Sequence, residues 1–273
     1  KKGNNILKKN RIKSYNLDSE ILMSQVFDKS RADIVLNSNI KLSDKEIVQY
    51  NKLIEQRSKK KPIAYITGKK EFWKYEFFVN KDVLVPRPDT EIIVEQTLKL
   101  TKNKSRLKIL DIGTGSGCIL LSILKEKKNF YGTGIDICSK TLEICKVNIK
   151  KLDLINRIKL FKSDVDNFNY GKYDLVISNP PYIKKFDLKY LEKDVYDYEP
   201  KIALDGGIDG LLEIKKIICN SYKFIKKNGV LILEIAFDQT ENVKRILRKN
   251  GYYIRNVVKD LADNNRCIIS IKK

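Results

Sequence analysis

The stretch that carries the most specific chemistry is Asp174-Leu175-Val176-Ile177-Ser178-Asn179-Pro180-Pro181-Tyr182. A β-branched apolar run stops at Asn179, because two successive prolines lack N–H donors and cannot continue a sheet ladder. The Asn179 side chain and the Pro180 carbonyl are then hydrogen-bond acceptors that can point into a ligand crevice, and Tyr182 is a flat wall beside them. A planar amide or exocyclic amine donates two N–H bonds to such acceptors while it stacks on Tyr182, which aims its nitrogen at a methyl sulfonium. Neither a metal nor a general base is required. Orientation and a polarity that favours an electron-rich nitrogen supply the rate. The alternative is a proline-rich loop that merely ends a strand.

A second constellation is Leu110-Asp111-Ile112-Gly113-Thr114-Gly115-Ser116-Gly117. A strand runs into glycines, which allow a sharp turn and close approach of a ligand to the backbone, and the following helix offers unpaired N–H groups. A dinucleotide fingerprint would need glycine at position 118, where this chain has Cys118. The spacing G-x-G-x-G after an acidic strand end instead resembles an S-adenosylmethionine loop. The alternative is a turn with no ligand. Nineteen residues after Gly117, Asp136 ends the run Tyr131-Gly132-Thr133-Gly134-Ile135. Its carboxylate can accept both hydroxyls of a ribose, a role shared with NAD-binding enzymes, or it is a solvated loop carboxylate. Ser163-Asp164-Val165 ends a third strand, where it faces the edge and plane of an adenine or else forms a surface turn.

The elements that must hold these residues follow from periodicity. Apolar, β-branched runs at 107–112, 131–136, 158–163, 173–178, 230–235 and 266–271, with helical patterns between most of them, predict an α/β doubly wound sheet of the Rossmann-like class. The helix at 139–152 has Ser139 as its expected cap and carries Leu142, Cys145, Ile149 and Leu152 on one face, which makes Cys145 a core residue. Ahead of the sheet, residues 12–60 read as helical, with Asp18 as one cap and Ser43 with Glu46 as a capping box. The aromatic run 71–79 reads as a hairpin. Val85-Pro86-Arg87-Pro88-Asp89-Thr90-Glu91 reads as a rigid approach to a helix capped by Asp89 or Thr90. The expected domains are a helical domain over 1–68, a β-hairpin connector over 69–85 and an α/β domain over 86–273; the family resemblance given below implies substrate docking for the first and methyl transfer for the last.

Composition narrows the chemistry. The 273 residues contain no His, which removes Ser-His-Asp and Cys-His catalysis and His-ligated metal sites. The five cysteines form no C-x-x-C pair, so neither a zinc site nor a disulfide framework is expected. With 42% hydrophobic and 33% charged residues the chain has the balance of a globular protein, and no apolar run approaches the ~20 residues of a membrane span. No membrane partner and a cytoplasmic location are expected. The chain starts at Lys1 instead of Met, as a fragment or processed form would. The net charge of +21 favours anionic partners such as RNA, ribosomes or acidic proteins, or else reflects a Lys-rich codon bias.

Asn179-Pro180-Pro181-Tyr182 after the glycine loop resembles amino-methyltransferases as a group, whose substrates include adenine N6, guanine N2 and protein glutamine. Pro62-Ile63-Ala64-Tyr65-Ile66-Thr67-Gly68, Glu71-Phe72-Trp73, Val85 to Glu91 and Tyr198-Glu199-Pro200 together look like the HemK/PrmC family. The resemblance extends from about residue 18 to the end. It implies a small helical domain, a hairpin, and a domain that methylates the glutamine of the GGQ motif in peptide chain release factors with S-adenosyl-L-methionine, modulating translation termination. By the same resemblance Gly113 to Gly117 and Asp136 hold the cofactor, with Asp164 and Val165 at its adenine. Asn179 touches cofactor and substrate, and Pro180, Pro181 and Tyr182 hold the glutamine. Arg87 and Glu199 are release-factor or supporting contacts, or equally a structural ion pair.

The chain departs from the family pattern in three places. Val165 is smaller than the usual residue against adenine. Ala262-Asp263-Asn264-Asn265-Arg266 only partly follows the family turn, and Leu233-Glu234-Ile235-Ala236 replaces a glycine-ended strand. The resemblance brings ribosome association within scope and does not require direct nucleic-acid binding. The competing readings are a nucleic-acid amino-methyltransferase, favoured by the charge but lacking a target-recognition domain, and a non-catalytic cofactor-binding partner of the ribosome or release factor.

Overall fold

The computed structural model describes residues 2–36 and 42–273. Within the helical reading of 12–60, positions 37–41 lie outside the described residues. The chain forms two compact units, one of Lys1–Lys69 with Glu192–Tyr198, the other of Lys70–Leu191 with Glu199–Lys273.

The first unit is helical: α1 (Lys2–Lys9), α2 (Tyr15–Phe27), α3 (Arg31–Leu36), α4 (Asp44–Ser58) and α5 (Ile63–Thr67). Leu7, Ile12, Leu22, Tyr50 and Ile54 form its core. The capping box is present: Ser43 accepts from the Glu46 N–H and Glu46 reaches back to the Ser43 N–H. Asp18 is not a cap. It lies a turn inside α2, buried, and accepts from Arg57 Nε at 2.6 Å. Ser14 Oγ donates to the same carboxylate at 2.9 Å, and Arg57 Nη1 reaches the Lys61 carbonyl at 2.9 Å. A carboxylate in that interior position is tolerated because these bonds replace its water.

The second unit opens with the expected hairpin, β1 (Lys69–Phe72) and β2 (Tyr75–Phe78), turned at Trp73 with φ 58°. Phe72 and Phe77 are buried in this unit's core, and Trp73 Nε1 and Tyr75 Oη donate to Glu126 Oε1 at 3.3 and 3.1 Å. The segment is therefore packed into the second unit. Then follow α6 (Glu91–Leu100), β3 (Lys108–Ile112), α7 (Cys118–Glu126), β4 (Tyr131–Asp136), α8 (Ser139–Lys151), β5 (Ile158–Lys162) and β6 (Tyr173–Ser178). After α9 (Lys193–Tyr198), which belongs to the first unit, come α10 (Leu212–Phe224), β7 (Ile225–Glu234), α11 (Thr240–Lys249), β8 (Tyr252–Lys259) and β9 (Asn265–Lys272).

The sheet runs β5-β4-β3-β6-β7-β9-β8, parallel through β7 and antiparallel at its last two pairings. The doubly wound expectation holds. The chain leaves β3 toward β4 on one side, and β6 lies on the other, so a crevice opens beyond the ends of these strands. Two further local expectations fail. Ser139 is the first residue of α8, the cap position is Cys138, and no side chain caps the helix. Neither Asp89 nor Thr90 caps α6 through its side chain; Pro88–Thr90 form a single 3₁₀ turn instead. β8 was not expected, because Arg255, Asn256 and Lys259 break the apolar run of what is an exposed edge strand.

Candidate active site

A cavity of about 410 Å³ occupies the crevice at the ends of β3, β4, β5 and β6. Its floor is the turn after β3. Gly113 and Gly115 hold φ 73° and 58°, values that L side chains rarely adopt. A Cβ added at Gly113 would meet nothing within 4 Å, so the backbone here faces open space in which a ligand can sit. Gly117 differs. It borders no part of the cavity, and a Cβ there would lie 2.8 Å from Cys145 Sγ and 2.9 Å from Leu121. Its φ of 83° and this tight contact make it a packing glycine at the start of α7.

Thr114 and Ser116 line the cavity, yet both are buried. Thr114 Oγ1 donates to Asp111 Oδ2 at 2.8 Å, and the Ser116 carbonyl accepts from Asn148 Nδ2 at 2.9 Å. What the loop offers a ligand is therefore mainly its backbone. Asp111 was not singled out by sequence as a site residue. Burial, helped by the neighbouring Asp136 charge and opposed by Thr114, lifts its carboxyl to about 7. Asp136 takes the Gly115 and Cys138 N–H groups at 3.1 and 3.0 Å; burial raises its pKa and these bonds oppose the rise. Its place on the cavity wall leaves acceptor capacity for hydroxyls.

At the next strand end Val165 is buried and borders the cavity. Asp164 also borders it, but its carboxylate is occupied by its own turn, accepting Asn167 N at 2.8 Å and Asn167 Nδ2 at 3.0 Å.

The loop after β6 brings Asn179, Pro180 and Pro181 to the cavity. Asn179 Nδ2 donates to Thr90 Oγ1 at 3.1 Å, which leaves Oδ1 as the atom for a substrate N–H. Tyr182 is not on the cavity lining; its hydroxyl donates to Glu234 Oε1 at 3.2 Å, and burial raises its pKa strongly. Gln239 holds the loop by donating to the Tyr182 carbonyl at 3.1 Å and the Gly210 carbonyl at 3.0 Å. Arg87 is half-buried on the cavity wall and ion-paired to the buried Glu199, which lies behind it and also accepts the Val85 N–H at 3.1 Å.

Sequence reading gave Thr90 only as a helix cap, Asp111 only as the acidic end of a strand and Glu234 only as part of a departure from the family pattern. Each is buried, and each gains its meaning from a partner. The acidic end of β4, Asp136, beside a glycine turn suits a ligand bearing hydroxyls and positive charge. The Asn179 turn suits a planar N–H donor.

The family described as PrmC N-terminal domain matches residues 1–68, and the methyltransferase small domain family matches residues 89–193. A release factor glutamine methyltransferase of Clostridium acetobutylicum is 38% identical over 274 residues, covering 99% of this chain and 96% of that protein. One from Caulobacter vibrioides is 36% identical over 257 residues, covering 94% and 89%. Among solved structures, a methyltransferase from Pyrococcus furiosus aligns with a TM-score of 0.53 at 18% identity, covering 72% of this chain and 88% of that one, a likeness of fold.

Proposed function

The chain belongs to the release factor glutamine methyltransferase family, and we propose that it methylates the side-chain amide nitrogen, N5, of the glutamine in the GGQ motif of peptide chain release factors. The cofactor is S-adenosyl-L-methionine, and when bound it supplies an electrophilic methyl group on a sulfonium. The residues present fit it. The open side of Gly113 leaves room for it, Asp136 offers acceptors for its ribose, Val165 offers an apolar contact for its adenine, and the Asp136 carboxylate favours its positive charge.

The observation that carries the reading is Asn179, whose Nδ2 is engaged by Thr90 while the residue borders the cavity. Asn179 Oδ1 and the Pro180 carbonyl accept the two N–H bonds of the glutamine amide and hold its nitrogen in one direction. With S-adenosyl-L-methionine bound, the nitrogen held by Asn179 and Pro180 would face the methyl group that the sulfonium supplies, and the proton displaced from that nitrogen would leave to water. Pro181 closes the wall beside the amide. Tyr182 acts from outside the cavity lining and holds the turn through Glu234. Arg87, paired to Glu199, presents a cation on the wall for the incoming protein loop. The helical domain, residues 1–68, helps dock the large substrate, with residues 69–85 leading into the catalytic domain at 86–273. The compartment that follows is the cytoplasm, with the ribosome as a further partner.

A nucleic-acid amino-methyltransferase is the second reading, favoured by the +21 charge. Incubation with labelled S-adenosyl-L-methionine and, separately, a purified release factor, total ribosomal RNA and DNA decides between them. Label is expected in the release factor. Label in nucleic acid alone would move the assignment to the second reading.

A further inference from the structure

We propose that the end of the sheet opposite the crevice, where β3, β4 and β5 begin, is a docking surface for single-stranded RNA. Binding there is separate from methyl transfer. The choice of RNA rests on the release-factor reading of the crevice, because an enzyme that acts on release factors works beside RNA.

The three strands are parallel, so their starts gather at one end and their ligand-binding ends at the other. The turn into β3 carries Lys102, Lys104 and Arg106, the turn into β4 carries Lys127 and Lys128, and Arg157 closes the turn into β5. Basic residues near helix C-termini ordinarily answer exposed carbonyls, and two of these do so. Lys127 Nζ donates to the Thr101 and Lys102 carbonyls at 3.1 and 3.3 Å, and Arg157 Nη1 donates to the Lys127 and Lys128 carbonyls at 3.0 and 2.8 Å. These bonds tie the three turns into one rim. The other cations are uncommitted. Among the described residues, the exposed Lys102, Lys104 and Lys128 ammonium groups make neither an ion pair nor a hydrogen bond, and Arg106 lies over the Tyr131 ring at 5.1 Å.

Neighbouring acids do not cancel this charge. Asp174 is committed to Lys226 at 2.7 Å and to the Lys108 N–H at 2.8 Å, Glu126 is held by Lys74, and Asp153 acts on Arg157. The crevice has the reverse balance. Arg87 and Lys216 on its wall are paired with Glu199 and Glu213, while Asp82, Asp136, Asp164 and Asp205 have no ion-pair partner among the described residues. A polyanion is therefore repelled where methyl transfer occurs and attracted at the far end. The two ends act independently, because a five-residue strand spans roughly 15 Å and physiological salt screens charges over about 8 Å.

Ammonium and guanidinium groups on a cross-tied rim fit phosphate oxygens. Tyr131, 40% exposed with Arg106 over its ring, adds a surface on which an unpaired base can stack, and Tyr170, 43% exposed, is paired to Lys159 of β5 in the same way. A duplex hides its base faces and a bilayer has none, so these rings favour a single strand.

The test is the anisotropy of a labelled single-stranded RNA of about 20 nucleotides titrated with the full chain at about 0.1 M salt, where a micromolar Kd is expected. Lys102→Gln, Lys104→Gln and Arg106→Gln together should weaken binding about 10- to 100-fold and make the slope of log K against log salt shallower by about 2. Tyr131→Ala should weaken it about fivefold or more with that slope unchanged. Lys140→Gln, Lys162→Gln and Lys185→Gln remove the same charge at the crevice end and should change Kd less than about threefold. Equal weakening by both triple variants would overturn the proposal, because the charge would then act diffusely. So would a wild-type Kd above about 100 μM, or binding to duplex DNA or phosphatidylglycerol vesicles as tight as to the RNA. Methyl label in the bound RNA would place it in the crevice and overturn the proposal as well, and a raised release-factor KM in the first triple variant with RNA affinity intact would make the rim a protein face. If that variant fails to fold, Lys104→Gln with Lys128→Gln decides, with an expected slope change of about 1. RNA bound at the rim alongside a release factor that takes no methyl would sink the crevice reading and leave the docking surface standing.

Discussion

The Asn179 amide nitrogen lies 3.1 Å from the hydroxyl of Thr90, a residue 89 positions earlier in the chain. This bond joins the loop after β6 to the turn that opens α6, and it decides which end of the carboxamide is left for a substrate. The acceptor chemistry of the site depends on it.

Replacing Asn179 with Ala removes the acceptor while leaving the glycine loop intact. Methyl transfer to a release factor is expected to fall about 100-fold or more in kcat, with the unfolding temperature little changed. Single-turnover kinetics check it, and transfer at the wild-type rate would contradict the role given to Asn179.

The two ends of the glycine loop should respond differently. Gly113→Ala places a Cβ into the open space beside the backbone at a strained φ, so it should weaken cofactor binding and cost only about 1 kcal/mol of stability. Gly117→Ala pushes into Cys145 and Leu121 and should cost about 1–3 kcal/mol beyond the same strain. Calorimetric Kd and thermal unfolding of both variants separate the effects. Equal losses of affinity at equal stability would show that Gly117 faces the ligand after all.

Asp136→Asn removes the charged acceptor on the cavity wall and weakens its hold on the Gly115 and Cys138 N–H groups. Hydrogen bonds to a charged group contribute about 1.5–3 kcal/mol, so cofactor Kd should rise roughly 10- to 100-fold. An unchanged Kd would leave Asp136 as a loop carboxylate only.

In the helical unit, Asp18→Ala removes the 2.6 Å partner of the buried Arg57 guanidinium and leaves it only the Asp194 carboxylate at 3.9 Å. A loss of about 3–5 kcal/mol is expected in denaturant unfolding of the full chain. A loss below about 1 kcal/mol would mean that Asp194 or water replaces Asp18 as the partner of Arg57.

The buried acid Asp111 predicts a pH dependence of stability. Its folded pKa, about 7, lies above the ordinary 3.8, so between these values the folded state binds more protons than the unfolded state. Stability from this group is therefore fully present below about 3.8 and is lost as pH rises through about 7. Thermal unfolding of the cofactor-free wild type should decline relative to Asp111→Asn over that window. Parallel curves would show that Asp111 titrates alike in both states.

The sequence revealed what repeats locally. The strands at 131–136 and 173–178 match β4 and β6, and the Asn179 loop and most of the glycine loop meet at one cavity, because both follow strands of one parallel sheet. What it concealed is distant pairing. Glu234 was noted only as a departure from a glycine-ended strand, since its partner Tyr182 is 52 residues away. Asp18 read as a cap because its partner Arg57 lies 39 residues on, in another helix. β8 escaped notice because an edge strand needs little apolar pattern. Gly117 looked like its neighbours in the loop, and only the packing of Cys145 against it shows its different use.

The most direct test of the account is transfer of labelled methyl from S-adenosyl-L-methionine to a purified release factor, run beside the same factor with its GGQ glutamine changed to alanine. Label in the wild-type factor and none in the altered one is the predicted result. Equal label in both would contradict glutamine as the acceptor and, with it, the role of the Asn179 turn.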